Sequence, residues 1–103
     1  MALSHALVAL NSSTAVNLNI DANLTNPVTG EVYPVYAFTT LSIQNVDASA
    51  TVYIGTSTVT SSSYGISLAP GASATLDGLT NTENVWAIST GSSNVAILKV
   101  TSA

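Results

Sequence analysis

The chain contains no cysteine, no arginine, one lysine (Lys99) and one histidine (His5) in 103 residues. Each shortage closes a class of function. Without sulfur ligands there is no disulfide scaffold, no thiolate-bound zinc and no thiol nucleophile. Without arginine there is no bidentate clamp for phosphate or carboxylate, and one lysine cannot neutralise the row of phosphates that nucleic-acid binding requires. Acids are scarce as well: Asp21, Glu31, Asp47, Asp77 and Glu83 bring the charged residues to only 6%, where an ordinary soluble domain has about 25%, and leave a net charge of -4. The apolar start, Met1 to Leu10, follows no basic residue and is too short to cross a bilayer, so neither a signal peptide nor a membrane span is expected.

What is present is apolar bulk and neutral polarity. Apolar residues make up 47% of the chain, and 15 Ser, 14 Thr and 9 Asn supply a polar surface without charge. The length suits one domain, residues 1–103, burying roughly 65% of the surface of the unfolded chain. Apolar positions alternate, which predicts strands. Val16, Leu18 and Ile20 against Asn17, Asn19 and Asp21 form the clearest case, with a polar face outward. Ala6–Leu10 reads as a shorter strand, a helix over Ala2–Leu10 being the alternative, and residues 11–14 as the connection between the two. Residues 22–34 form an excursion loop around Asn26-Pro27-Val28-Thr29-Gly30. From Val35 to Gln44 one face carries Val35, Ala37, Thr39, Leu41 and Ile43, the other Tyr36 and Phe38. Strands follow at Thr51–Ile54, Ile66–Leu68, Ala72–Leu76, Asn84–Ser89 and Asn94–Val100, with a type II turn at Ala69-Pro70-Gly71. The expected fold is all-β: a single antiparallel sandwich or small barrel, jelly-roll or immunoglobulin-like, of seven to eight strands.

Little in this pattern supports catalysis. His5 is the only imidazole, near the start of a strand, and a serine nucleophile needs such a base beside it. The five acids fall in or beside predicted turns, where Asp serves local backbone bonds. Asp77 to Glu83 alternates oxygen-bearing side chains, as a calcium loop does, but lacks the spacing of the twelve-residue loop. No catalytic residue, cofactor or metal is therefore expected. Of the aromatic residues, Tyr33 and Tyr64 fall in predicted loops and are the candidates for a ligand-facing role such as stacking on a sugar.

The order Ile43-Gln44-Asn45, Val52-Tyr53-Ile54-Gly55, Val59-Thr60, Tyr64 to Gly71 with its Leu-Ala-Pro-Gly, Leu76-Asp77, Val85-Trp86-Ala87-Ile88 and Val95 to Val100 resembles structural proteins of tailed bacteriophages. The resemblance covers about residues 41–100. It implies a capsid decoration (cement) protein, or a tail or fibre accessory domain, without catalytic residues. It further implies residence on the virion capsid surface after synthesis in the host cytoplasm, the major capsid protein as partner, and self-association, as a homotrimer. Nucleic acid and membrane are not expected partners. The strand edges, with almost no lysine or proline to guard them, fit a surface covered by neighbours. Residues 1–12 would then serve as an attachment or inter-subunit arm. Leu3, Leu7, Val8 and Leu10 there, with Pro27, Val28 and Tyr33 in the excursion loop, are the candidate assembly contacts. Lys99, at the end of the last strand, is expected at an edge or beside an acidic neighbour. A carbohydrate-binding, adhesin-like module using Tyr33 or Tyr64 is the alternative.

Overall fold

The strands of this protein pair in a nested order, the outermost with a partner from the opposite end of the chain and the innermost with its neighbour in sequence. The computed structural model describes residues 2–20, 25–34 and 37–102, so Asp21, Asn23, Val35 and Tyr36 lie outside the described residues. Eight strands are present: β1 (Ala2–Leu10), β2 (Val16–Asn17), β3 (Phe38–Asn45), β4 (Val52–Gly55), β5 (Ile66–Leu68), β6 (Ser73–Thr80), β7 (Trp86–Ser89) and β8 (Ser93–Ser102). The antiparallel pairs β1 with β8, β2 with β7, β3 with β6 and β4 with β5 nest inside one another, as in one long hairpin. Rolling that hairpin up brings β3 beside β8 and β4 beside β7. The resulting sheets, ordered β1-β8-β3-β6 and β2-β7-β4-β5, are those of a jelly roll. The fold is thus the expected all-β sandwich. Of the two folds left open, the strand order selects the jelly roll, and β1 is a strand over its whole length rather than a helix.

Period-two patterning explains the core. Leu41 and Ile43 of β3, Val52 and Ile54 of β4, and Val95 and Ile97 of β8 all face inward, where they meet Leu10, Leu18, Leu68, Val85 and Ala87. Removing each such side chain from water contributes about 1.5–3 kcal/mol. The strand registers put the connections 11–15, 46–51, 69–72 and 90–92, each of six residues or fewer, at one end of the sandwich (the short-connection end) and 56–65, the ten-residue loop, together with 81–85 and the described residues that follow β2 at the other (the long-connection end).

At the short-connection end, Asn45 clasps the two sheets together. It is fully buried. Its side-chain amide donates to the carbonyls of Ala50 (2.8 Å) and Leu68 (3.0 Å), and its Oδ1 accepts from the Asp47 N–H (3.1 Å). Its backbone N–H donates to Ala72, and its carbonyl accepts from Gly71. The turn thus held is the type II turn expected from the sequence: the Ala72 N–H donates to the Ala69 carbonyl at 2.9 Å, and Gly71 has φ +80°. Asn45 and Leu-Ala-Pro-Gly, two parts of the pattern over 41–100, are therefore two halves of one structural joint. Asp47 caps the adjoining loop: its carboxylate accepts from the backbone N–H groups of Ala50 and Ser49, which hold its pKa below the ordinary aspartate value.

The long-connection end differs from the sequence reading. The clearest predicted strand stops at Asn17. Leu18 still donates to the Val85 carbonyl, but Asn19 turns inward to give its amide to the carbonyls of Asn81 and Glu83. Those acceptors must be satisfied, and this outweighs the polar-out alternation. Lys99 is also inside. It follows Val95 and Ile97 on the inward face of β8, a central strand, and is fully buried, with Nζ donating to the carbonyls of Ile20 (3.0 Å) and Asn81 (3.4 Å). The lysine therefore holds loop backbone rather than an edge.

Asp77 likewise is not in a turn. Residues 77–80 belong to β6, where Asp77 and Gly78 (φ +76°) stand together against Thr40 as a bulge, and the Thr40 hydroxyl donates to Asp77 at 2.8 Å. A calcium loop over 77–83 is not formed.

Candidate functional site

The outer face of the β1-β8-β3-β6 sheet is built from the residues that alternate with the core. Three cross-strand rows can be followed. Leu3 lies beside Val100 and Thr40; His5 beside Leu98, Ser42 and Thr75; Leu7 beside Ala96, Gln44 and Ser73. The face is therefore apolar along β1 and β8 and lined with hydroxyl and amide groups along β3 and β6. Leu3 (66% exposed), Leu7 (69%), Phe38 (69%) and Leu98 (44%) give it an unusual share of open apolar side chains. A shallow groove crosses the middle, between His5 and Leu98 on one side and Gln44, Ser73 and Thr75 on the other.

His5 and Ser42 stand two strand spacings apart, about 10 Å, beyond hydrogen-bond reach. Asp77 is engaged by Thr40 in a different row of the sheet. Among the described residues, no three His, Cys, Asp or Glu side chains converge as metal ligands would. Among its described residues the face carries one carboxylate, Asp77 at its far rim, and the His5 side chain beside the groove.

Of the candidate assembly contacts, Leu3, Leu7, Pro27 and Val28 are exposed, Val8 is half-buried, and Leu10 and Tyr33 are buried. Leu10 belongs to the core. Residues 25–32 form a small hairpin in which Thr25 bridges Val32, the Asn26 side chain accepts from the Val28 N–H, and Val28 is 90% exposed at the tip. Beyond it the chain dips inward, so Tyr33 is only 4% exposed and its carbonyl lies 3.5 Å from the Asn81 amide. Tyr33 is therefore buried, not exposed as its place in a loop-like stretch of sequence predicts. Tyr64 is half exposed, and its ring packs on Tyr53 of β4 with centroids 4.7 Å apart.

The strand edges are better guarded than the sequence implied. β2 and β5 are two and three residues long, and β6 carries the bulge with Asp77. Short strands, bulges and charges all discourage pairing by another chain. The remaining edge, β1, has nine regular residues and none of these devices. Period-two alternation alone shows that Leu3, His5 and Leu7 share a face; that β1 lies at an edge depends on pairing with β8, some 90 residues away, and has no local signal. No protein-family model matches the chain, and no curated protein matches it.

Proposed function

We propose that this protein is a non-enzymatic virion structural protein, a capsid decoration (cement) protein that binds the outside of a phage head. Its partners in this reading are the major capsid protein and itself, as a homotrimer, and its location is the virion surface after synthesis in the host cytoplasm. The observation that carries the reading is the half-apolar, half-hydroxyl outer face of the β1-β8-β3-β6 sheet, which can be covered with little charge desolvation. The jelly roll supports it as an architecture shared by viral capsid and lectin domains, an analogy of fold only. Stabilisation would arise from many shallow contacts repeated by symmetry. Mass spectrometry of purified particles tests the proposal. A copy number comparable to that of the major capsid protein is expected; a handful of copies would indicate a tail or fibre position, and absence from the particle would overturn the reading.

The second reading, a tail or fibre accessory or carbohydrate-binding module, rests on Tyr64, whose half-exposed ring is braced by Tyr53 among the hydroxyl-rich residues 56–63. Binding on a glycan array that is lost in Tyr64→Ala would favour it.

A further inference from the structure

We infer that β1 is a self-pairing edge: a second copy of this chain adds its own β1 antiparallel to it, about a twofold axis through His5, joining two sheets of four strands into one of eight. A long, regular strand at the edge of a sheet can be extended by another strand. Among the described strands, a second copy can offer only one long, regular and unguarded edge, which is again β1. Pairing like with like makes the contact isologous and self-limiting, so it closes at two copies instead of growing into a fibre.

The side chains set the register. In an antiparallel homodimer of this kind the axis is perpendicular to the sheet, and directly opposed residues lie on the same face. With the axis at His5, Leu3 of one copy stands opposite Leu7 of the second copy, and Leu7 opposite its Leu3. The two large apolar side chains that the strand exposes then cover each other. On the inner side, Ala2 meets Val8 and Ser4 meets Ala6, small groups that let the backbones approach. The seam brings no carboxylate against another, because residues 2–10 contain none.

The area places this contact among weak associations. With the axis at His5 the paired stretch of β1 runs from Ala2 to Val8, seven residues or about 23 Å. At roughly 400 Å² per partner the seam totals about 800 Å², under the 1,200–2,000 Å² of stable complexes. The free protein should dimerise only at micromolar or higher concentration. On a repeating surface the seam would link one cluster of copies to the next, where repetition multiplies a weak contact. It is not the contact that forms a trimer.

The absence of cysteine makes the test direct. Single-cysteine variants His5→Cys and Leu3→Cys are oxidised mildly at high concentration. Two residues at position 5 face each other across the axis, within the span of a disulfide, whereas two at position 3 are about 14 Å apart along the strands. The expected result is a covalent dimer from His5→Cys and at least tenfold less from Leu3→Cys. Equal yields, or no dimer from either folded variant, overturn the proposal. Sedimentation of the unmodified protein and of Leu7→Lys supplies a second measurement. The exposed Leu7 tolerates the change in the monomer, and the added charge should weaken dimerisation at least tenfold; unchanged association overturns the inference. Particle mass spectrometry tests the virion reading separately, so either can fail without the other.

Discussion

Replacing Asn45 gives the sharpest test of how the two sheets are joined. In Asn45→Ala the carbonyls of Ala50 and Leu68 lose a donor each and the Asp47 N–H loses its acceptor. At about 1 kcal/mol for each neutral bond, the loss is about 3 kcal/mol, a fall in Tm of roughly 12–24 °C for a domain of this size. Asn45→Asp keeps the shape but replaces the donor with a carboxylate aimed at two carbonyl oxygens in a buried site, and should be worse than Ala at neutral pH. Its pH dependence has a definite sign. Burial raises the folded-state pKa of the introduced acid above its unfolded value, so the folded form holds the extra proton and the variant loses stability as pH rises between the two values. As the pH falls towards the unfolded value, Asn45→Asp should recover relative to wild type, while Asn45→Ala should not. Urea titrations from pH 4 to 8 measure both. A loss below 1 kcal/mol in Asn45→Ala, or an Asp variant more stable than Ala at pH 7, would refute the assignment of Asn45 as the inter-sheet clasp.

Other residues make narrower predictions. Gly71→Ala should cost about 1 kcal/mol through its positive φ, because a Cβ there meets nothing within 4 Å; Gly91→Ala, also in open space and without a positive φ, should be neutral in the same thermal melt. The Asp47 carboxylate stabilises the fold while ionised, so its contribution is present above the ordinary aspartate range and is lost as pH falls through its lowered value. Asp47→Asn should remove part of the acid sensitivity seen in denaturant titrations. Lys99→Met should destabilise by about 2 kcal/mol or more, since two loop carbonyls lose a charged donor; hydrogen exchange should show faster opening around residues 18–20 and 81.

Sequence legibility followed the range of the forces involved. β3 and β8 could be read because each alternates strictly between a core and an outer face, and Ala69-Pro70-Gly71 could be read because its geometry is local. β2 could not: Asn19 faces inward to bind carbonyls 62 and 64 residues away, a demand invisible in its own neighbourhood. Lys99 posed the same difficulty. Its place after Val95 and Ile97 pointed inward while its charge pointed outward, and the loop carbonyls decide between them. Tyr33 lies inside although its surrounding sequence is aperiodic, because lack of periodicity does not by itself imply exposure. The outer face of Leu3, His5 and Leu7 was half legible, as an apolar strand start, while its position at an unguarded edge follows from the order in which distant strands pair.

The nested pairing also has a consequence in time. β1 faces β8 with Ala2 opposite Thr101, so a nascent chain has synthesised its first strand long before that strand's partner exists. At about 5–20 residues per second, the leucines of β1 would wait several seconds for residues 93–102, while long-range pairing of this kind is itself slow. The two ends of the described chain lie side by side. A circular permutant that links them and opens the loop at 56–65 would turn the slowest pairing into a local hairpin. It should fold faster than the natural order while reaching the same sheets.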